Sequence, residues 1–291
     1  MSHSLIALRA AKLSLFVGFV VLALKWAAYY LTGSVALYSD ALESFVNIAA
    51  AGAAFIALRV AHQPADRDHP YGHTKAEYFS AVLEGGLILV AALMIINEAW
   101  GRLFQPLALE STAVGMAVSL LASALNAGLA WYLLRIAQQT GSPAIRADGL
   151  HILSDVVTSV GVLLGIGLAW LSHYWILDPL LAILVALNIL WMGVRLLRES
   201  MGGLMDEALP AAELEQLQAC LHAAMTGAIQ IHALKTRRAG QLVFVEFHLV
   251  VPGEMPVREA HAICDRLEAA LLQALPTAVV TIHVEPETQA E

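Results

Sequence analysis

Acidic, amide and imidazole side chains recur at helical spacing in two otherwise apolar stretches of the chain. Asp40, Glu43 and Asn47 follow i, i+3, i+7 spacing, so a helix would carry all of them on one face. In the second stretch, His151 and Asp155 stand at i and i+4, which also places them on one face. Two such helices facing each other would offer Glu43, Asn47, His151 and Asp155 as ligands around one ion.

This donor set is typical of sites for divalent transition metals. Imidazole with carboxylate suits Zn(II), Fe(II), Co(II) or Mn(II), and the lack of a thiolate argues against Cu(I). The alternative is that these side chains only cap or hydrogen-bond neighbouring helices. For Asp40, and for Asp148 one turn before His151, both interpretations stay open because these residues lie nearer the ends of the apolar stretches.

A third group of candidate ligands lies in a short polar segment, Asp66-Arg67-Asp68-His69-Pro70-Tyr71-Gly72-His73. Its D-x-x-H-x-x-x-H spacing can close around a metal ion at little cost in loop entropy. Histidines in exposed loops are commonly just solvated, which is the alternative here. The segment therefore predicts a metal site at Asp66, His69 and His73 only in combination with the other groups.

Histidines also cluster near the C-terminal end, where His232, His248, His261 and His283 are accompanied by Glu285. Three of these histidines lie on predicted strands, where imidazole is not a preferred residue. His232 and His248 would lie on adjacent antiparallel strands, close enough to share an ion. The pattern predicts a further metal site, with surface or interface histidines as the alternative.

The elements that position these residues are mostly membrane helices. The chain has 291 residues, is 59% hydrophobic and 14% charged, and has a mean hydropathy of +0.69, which is far more apolar than an ordinary soluble domain. A helix needs about 20 apolar residues to cross a bilayer. Six segments meet that length, near 10–31, 35–60, 78–101, 111–136, 147–171 and 176–198.

The distribution of Lys and Arg predicts the orientation of this six-helix bundle. The N-terminus and the connections after spans two, four and six carry nearly all the basic residues, whereas the opposite loops hold only Arg102. By the positive-inside rule, both termini are expected on the cytoplasmic side of the lipid bilayer. The apolar N-terminal segment lacks a small-residue cleavage site and is expected to be retained as the first span.

The composition changes at Met205 to Pro210, where apolar runs break and acidic residues become frequent. We therefore expect a transmembrane domain over 1–205 and a small α+β domain over 206–291, hereafter the tail domain. Its predicted elements are helices at Ala211 to Ala224 and Pro256 to Gln273, and strands at His232 to Thr236, Leu242 to Val251 and Ala278 to Val284. A domain of roughly 80 residues is near the lower limit for an independent core, so dimerisation would help to stabilise it.

Several functional classes are disfavoured by the sequence. A net charge of -8 argues against a nucleic-acid partner. No H-E-x-x-H occurs and no water-activating glutamate stands beside a histidine pair, which argues against an intramembrane metalloprotease, and we expect the chain not to be an enzyme. Cys220 and Cys264 lie too far apart in sequence for a zinc knuckle. A membrane-anchored metal sensor is a further alternative, but it would have little use for ionisable residues at membrane depth.

Several motifs in this order carry a family resemblance. They are Thr32-Gly33-Ser34-Val35, Ser39-Asp40-Ala41-Leu42-Glu43-Ser44-Phe45-Val46-Asn47, His69-Pro70-Tyr71-Gly72-His73-Thr74-Lys75-Ala76-Glu77 and Arg146-Ala147-Asp148-Gly149-Leu150-His151-Ile152-Leu153-Ser154-Asp155. Together they resemble the cation diffusion facilitator family over essentially the whole chain, and most closely its bacterial zinc and ferrous-iron efflux members.

The resemblance implies a homodimeric metal and proton antiporter of the bacterial inner membrane, with six spans and a cytoplasmic metallochaperone-like domain. Zinc or another divalent transition metal would be both substrate and regulatory ligand. The implied transport site is Glu43, Asn47, His151 and Asp155. The implied loop site is Asp66, His69 and His73, and the implied tail site is His232, His248, His261, His283 and Glu285.

The chain departs from the family pattern in span two. Where related bacterial transporters have two aspartates, this chain has Glu43 and Asn47. An amide is a weaker donor to zinc than a carboxylate and carries no exchangeable proton at neutral pH. We therefore expect weaker Zn(II) selectivity and fewer protons exchanged per ion than a site with four titratable ligands would give.

Overall fold

Six long helices make up the first two thirds of the chain. The computed structural model describes residues 3–32, 35–104, 113–172 and 176–289. The helices are α1 (His3–Thr32), α2 (Val35–Ala61), α3 (Ala76–Phe104), α4 (Ala113–Thr140), α5 (Pro143–Ser172) and α6 (Leu177–Leu204). Each of them corresponds to one of the predicted spans, so the predicted long helices are confirmed. The predicted spans 111–136 and 176–198 begin slightly before α4 and α6, and residues 111 and 112 are outside the described residues.

Four segments of the described helices are long and apolar enough to cross a membrane. They are Leu5–Ala27, Ala76–Gly101, Leu120–Thr140 and Pro179–Leu204. In α2, the described apolar segment is the shorter Asn47–Ala61. The polar candidate ligands of the helical domain lie on α2 and α5, which contact each other and pack against α1, α3 and α4.

The junction between α4 and α5 fixes where the His151 helix begins. Gly141 adopts a left-handed conformation at φ 66° directly after α4, a position that favours glycine at a helix C-terminus. Ser142 Oγ then accepts a hydrogen bond from the Ile145 amide over 3.3 Å, and Pro143 is the first residue of α5. Serine at the N-cap and proline at the next position are both strongly favoured at a helix start.

Small side chains let these helices approach closely. A Cβ atom built on Gly149 would lie 3.1 Å from the side chain of Leu134, so α5 packs against α4 at this point. The core beside it consists mainly of alanine with a few larger residues, among them Leu58, Leu133 and Ile145, all completely buried. Close packing of small residues is typical of helix association in membranes.

The C-terminal third folds as a compact unit over Gly202–Glu291, separate from the unit Met1–Met201. Its elements are α7 (Ala211–Ala224), β1 (Gln230–Ala239), β2 (Leu242–Val251), α8 (Val257–Ala274), β3 (Ala278–Pro286) and a final 3-10 turn at Glu287–Gln289. All five predicted elements are present, and β1 and β3 extend beyond their predicted ends.

The tail domain is a three-stranded sheet with the strand order β1-β2-β3. β1 pairs antiparallel with β2, whereas β3 follows α8 and pairs parallel with β2. Alternate residues of β2, including Val245, Phe247 and Leu249, pack in one core with residues of α7 and α8. One sheet face therefore packs on the helices, and the residues between these positions, such as His248, lie on the opposite face.

Candidate metal sites

The α2–α5 pair brings three of the four predicted transport ligands into direct contact. Asn47 Nδ2 donates to Asp155 Oδ2 over 2.5 Å. The other amide atom, Asn47 Oδ1, lies 3.1 Å from His151 Nε2. His151 is 4% exposed and Asp155 is half-buried. These three side chains form a polar cluster within the helical domain, in which imidazole, carboxylate and amide groups lie side by side.

The hydrogen-bond pattern also assigns a proton. An ionised carboxylate only accepts hydrogen bonds, so the Asn47 amide nitrogen must face Asp155. The amide oxygen then faces His151, and a bond between Asn47 Oδ1 and His151 Nε2 requires a hydrogen on Nε2. His151 can therefore bind a metal through Nε2 only after that proton has left.

The remaining residues predicted in span two are Asp40 and Glu43. Both lie on α2, but their side chains are outside the described residues, and Glu43 as a fourth ligand remains a prediction. Hydroxyls that sequence analysis did not single out lie next to the cluster. Thr158 and Ser159 both donate to the Asp155 carbonyl over 2.8 Å, a type of bond that can bend a helix.

The loop between α2 and α3 gathers all three of its predicted ligands. One ligand atom from each of Asp66, His69 and His73 falls within a group no wider than 4.8 Å. Asp66 Oδ1 is 3.2 Å from His69 Nδ1, and Asp66 Oδ2 is 3.4 Å from His73 Nε2. Gly72 supports the turn that brings the histidines together, since its φ of 84° is unfavourable for residues with a side chain.

Backbone hydrogen bonds keep the loop carboxylate charged. Asp66 Oδ1 accepts from the amides of His69 over 2.7 Å and Asp68 over 3.0 Å. The bond from the His69 amide is the main cause that lowers the pKa of Asp66 below its usual value, and both loop histidines add to the effect. Hydrogen bonds to the charged form favour it, so a carboxylate ligand is available in this loop at neutral pH.

Three of the tail histidines form one row across the sheet. His232 of β1 is paired with His248 of β2, and His248 is paired with His283 of β3. The ring centroids are 5.1 Å apart for the first pair and 5.0 Å for the second. The predicted cross-strand pairing of His232 and His248 is therefore confirmed, and His283 extends the row.

Glu285 places one carboxylate among these three imidazoles. Its Oε1 lies 2.9 Å from His248 Nδ1 and 3.6 Å from His283 Nε2. Its Oε2 lies 3.3 Å from His232 Nε2, and the side chain is only 9% exposed. His232, His248 and Glu285 meet the spacing of a metal site, and the two oxygens of Glu285 can serve different imidazoles.

His261 has different neighbours from the three histidines of the sheet. It is on the exposed side of α8, where its Nε2 is 3.9 Å from Asp265 and its side chain is 75% exposed. The buried face of α8 is formed by Ala260, Ile263, Leu267 and Leu271. Among the described residues, His261 does not belong to the groups with metal-like spacing, and its role as a tail ligand stays a prediction.

Comparison with known proteins accounts for both parts of the chain. Residues 11–205 match the cation efflux transmembrane domain, and residues 209–287 match the cytoplasmic domain of cation efflux proteins. The chain is 45% identical to an uncharacterized transporter of Synechocystis sp., with 95% of this chain and 89% of that protein covered. It is 32% identical to the cation-efflux pump FieF of Klebsiella pneumoniae, with 99% and 95% covered.

A solved structure of CzrB in its Zn form is 54% identical to part of the chain. The match covers 30% of this chain and 98% of that chain, with a TM-score of 0.29. The family models together span nearly the whole sequence and match it in the same order as the two structural units. The chain therefore belongs to the cation efflux family of membrane transporters, also called the cation diffusion facilitators.

Proposed function

We propose that this chain is a divalent transition-metal/proton antiporter that exports Zn(II) from the cytoplasm, with Fe(II), Cd(II), Co(II) and Mn(II) as further candidate substrates. The contact of Asn47 with both His151 and Asp155 supports this proposal most directly. It groups an imidazole, a carboxylate and an amide inside a helical domain of the cation efflux family. Such a donor set suits these ions.

Exchange of a proton for a metal ion follows from the state of His151. In the observed arrangement its Nε2 carries the proton that is shared with Asn47 Oδ1. In the proposed exchange the metal-free imidazole carries a hydrogen on both ring nitrogens, and a metal ion that arrives from the cytoplasm binds Nε2 as the proton there leaves to solvent. When the site opens to the other side, a proton returns to Nε2 and the metal leaves. Glu43 and Asp155 contribute the negative charge that a divalent ion requires.

Two observations support a location and an orientation in the membrane: the distribution of basic residues and the similarity to bacterial pumps. We place the chain in the bacterial inner membrane with both termini in the cytoplasm, because the basic residues concentrate in the connections on one side. The bacterial pumps named FieF are similar over nearly the whole chain. In this orientation the N-terminal ends of α3 and α5 lie toward the cytoplasm.

We assign transport to residues 1–205 and metal-dependent dimerisation to residues 206–291. The tail site, His232, His248, His283 and Glu285 with His261, would bind metal as its cytoplasmic concentration rises. Binding would favour the homodimer and shift the population toward a transport-ready state. The similarity of CzrB, solved in a Zn form, supports zinc as a tail ligand. The loop site would add a third metal position at Asp66, His69 and His73.

Proton release on metal binding tests the proposal. The purified full-length chain in weakly buffered detergent solution should release protons when Zn(II) is added, as reported by a pH indicator. His151→Ala should release fewer protons than the wild type. His62→Ala is a matched control, because His62 Nδ1 bonds to the Leu58 carbonyl outside the site. Equal release by wild type and His151→Ala would contradict the proposed exchange.

A further inference from the structure

A second group of buried polar side chains lies between α1, α3 and α5. Glu84 on α3 is 0% exposed and Asp148 on α5 is 1% exposed, and the two carboxylates interact electrostatically. Ser80 Oγ donates to Glu84 Oε1 over 3.1 Å, and the Ser14 hydroxyl lies beside Asp148. These four residues, Ser14, Ser80, Glu84 and Asp148, are hereafter the acidic cluster.

Most oxygen atoms of the acidic cluster are buried without a hydrogen-bond partner among the residues that the structure describes. They are Glu84 Oε2, both carboxylate oxygens of Asp148, and Ser14 Oγ, whose approach to Asp148 falls short of hydrogen-bond geometry. Ser14 is itself 1% exposed and faces the Asp148 carboxylate, so it provides a further oxygen directed into the cluster. Buried charged groups are normally paired or coordinate a cation. The cluster thus has buried carboxyl oxygens without partners, and a bound cation would favour the ionised form of both acids.

In the proposed orientation, Asp148 of the acidic cluster lies on the cytoplasmic side of the transport site. Asp148 precedes His151 by three residues on α5, which is about 4.5 Å along the helix axis, and the two side chains interact electrostatically. Glu84 lies eight residues after the start of α3 at Ala76, or about 12 Å into that helix, and His151 lies equally far into α5, which starts at Pro143. In the orientation proposed above, a cation entering from the cytoplasm would meet the Asp148 carboxylate before His151.

We propose that the acidic cluster is a further cation site, which holds a divalent metal ion on its way to the transport site. This inference rests on the proposed transport function. Two carboxylates balance the charge of a divalent ion, and the hydroxyls of Ser14 and Ser80 add neutral donors. An oxygen-only site suits hard ions such as Mn(II) and Mg(II). Without imidazole it would hold a softer ion such as Zn(II) weakly and pass it to His151.

Mn(II) binding, followed by electron paramagnetic resonance, tests the site in the full-length purified chain. The combined substitutions Asp66→Ala, Asp155→Ala and Glu285→Ala remove a carboxylate from each of the other three sites. This variant should still immobilise Mn(II), and the addition of Glu84→Gln should abolish that signal. The addition of Glu199→Gln is the matched control, because Glu199 is a carboxylate of α6 that pairs with Arg146 and Arg195. It should leave the signal in place.

Absence of immobilised Mn(II) before Glu84→Gln is added, or an unchanged signal afterwards, would overturn the proposal.

Transport kinetics provide a second test that does not depend on the multiple variant. Glu84→Gln alone should raise the half-saturating metal concentration for flux about tenfold while leaving the maximal rate nearly unchanged, as expected when ground-state binding is lost. An unchanged half-saturating concentration would contradict the inference. Absence of flux in the wild type would instead contradict the proposed function.

Discussion

Asn47 Nδ2 lies 2.5 Å from Asp155 Oδ2, so the one amide among the predicted transport ligands is bonded to a carboxylate of the opposite helix. The same amide also contacts His151 through Oδ1. Asn47 therefore joins α2 to α5 and sets the protonation of the imidazole. A carboxylate at this position would repel Asp155 unless a proton or a metal ion lay between them.

Asn47→Asp should make the site more selective for Zn(II) and increase the number of protons exchanged per ion. The new carboxylate is a stronger donor to zinc and adds a group that can carry a proton. Competition between Zn(II) and Mn(II) in a flux assay reports selectivity, and simultaneous recording of pH reports the proton count. If both quantities matched those of the wild type, Asn47 would have no part in metal choice.

Glu285→Ala should weaken zinc binding to the tail site by at least tenfold, because His232, His248 and His283 all lose the carboxylate between them. His261→Ala should have a smaller effect, since His261 contacts Asp265 on the exposed side of α8. Zinc titration of the full-length variants with a competing chelator measures both affinities. A larger loss for His261→Ala than for Glu285→Ala would contradict this account of the tail site.

The Asp66 carboxyl should titrate below the usual aspartate pKa of about 3.9. The pKa of Asp66 is lower in the folded state than in the unfolded chain. The hydrogen bonds to its carboxylate therefore stabilise the fold fully above the unfolded pKa, and this stabilisation is lost as the pH falls through the folded-state pKa. The Asp66 ligand should therefore stay charged in mildly acidic solution. Carboxyl chemical shifts recorded against pH measure its pKa, and titration of Asp66 at or above the unfolded value would contradict this prediction.

Gly149→Val should destabilise the helical domain by ~1–3 kcal/mol, because added atoms would press against Leu133 and Leu134 of α4. Gly128→Val is a matched control on α4, since a Cβ there meets no atom within 4 Å. Thermal unfolding in detergent should show a larger drop in Tm for Gly149→Val. Equal drops would indicate that the close approach of α4 and α5 contributes little to stability.

Much of the fold follows from local sequence patterns. The helix α7 begins and ends where its pattern predicts, at Ala211 and Ala224, and the alternation in β2 predicts the same bounds, Leu242–Val251, that the structure has. Apolar length predicts the six long helices for the same reason, because burial in lipid requires an uninterrupted apolar segment. These features depend on neighbouring residues alone.

The details of the sites depend on packing between distant segments, and the sequence alone does not predict that packing. The contact of Asn47 with Asp155 requires the rotation of both helices, which spacing alone does not give. Sequence spacing does not single out Glu84, because no Asp, Glu or His stands within one helical turn of it, although an acidic residue in an apolar span is itself a signal of function. Residue type alone groups His261 with the other histidines, whereas the amphipathic pattern of α8 places it away from the buried face.

Metal flux into proteoliposomes under an imposed pH gradient tests the central claim most directly. Wild type, Asp155→Ala and Ser159→Ala would be compared with Zn(II), Fe(II), Mn(II), Co(II) and Cd(II), Ser159 being a control whose hydroxyl bonds only to the α5 backbone. The account predicts gradient-dependent flux in the wild type and in Ser159→Ala, and its loss in Asp155→Ala. Undiminished flux in Asp155→Ala, or flux that ignores the gradient, would contradict it.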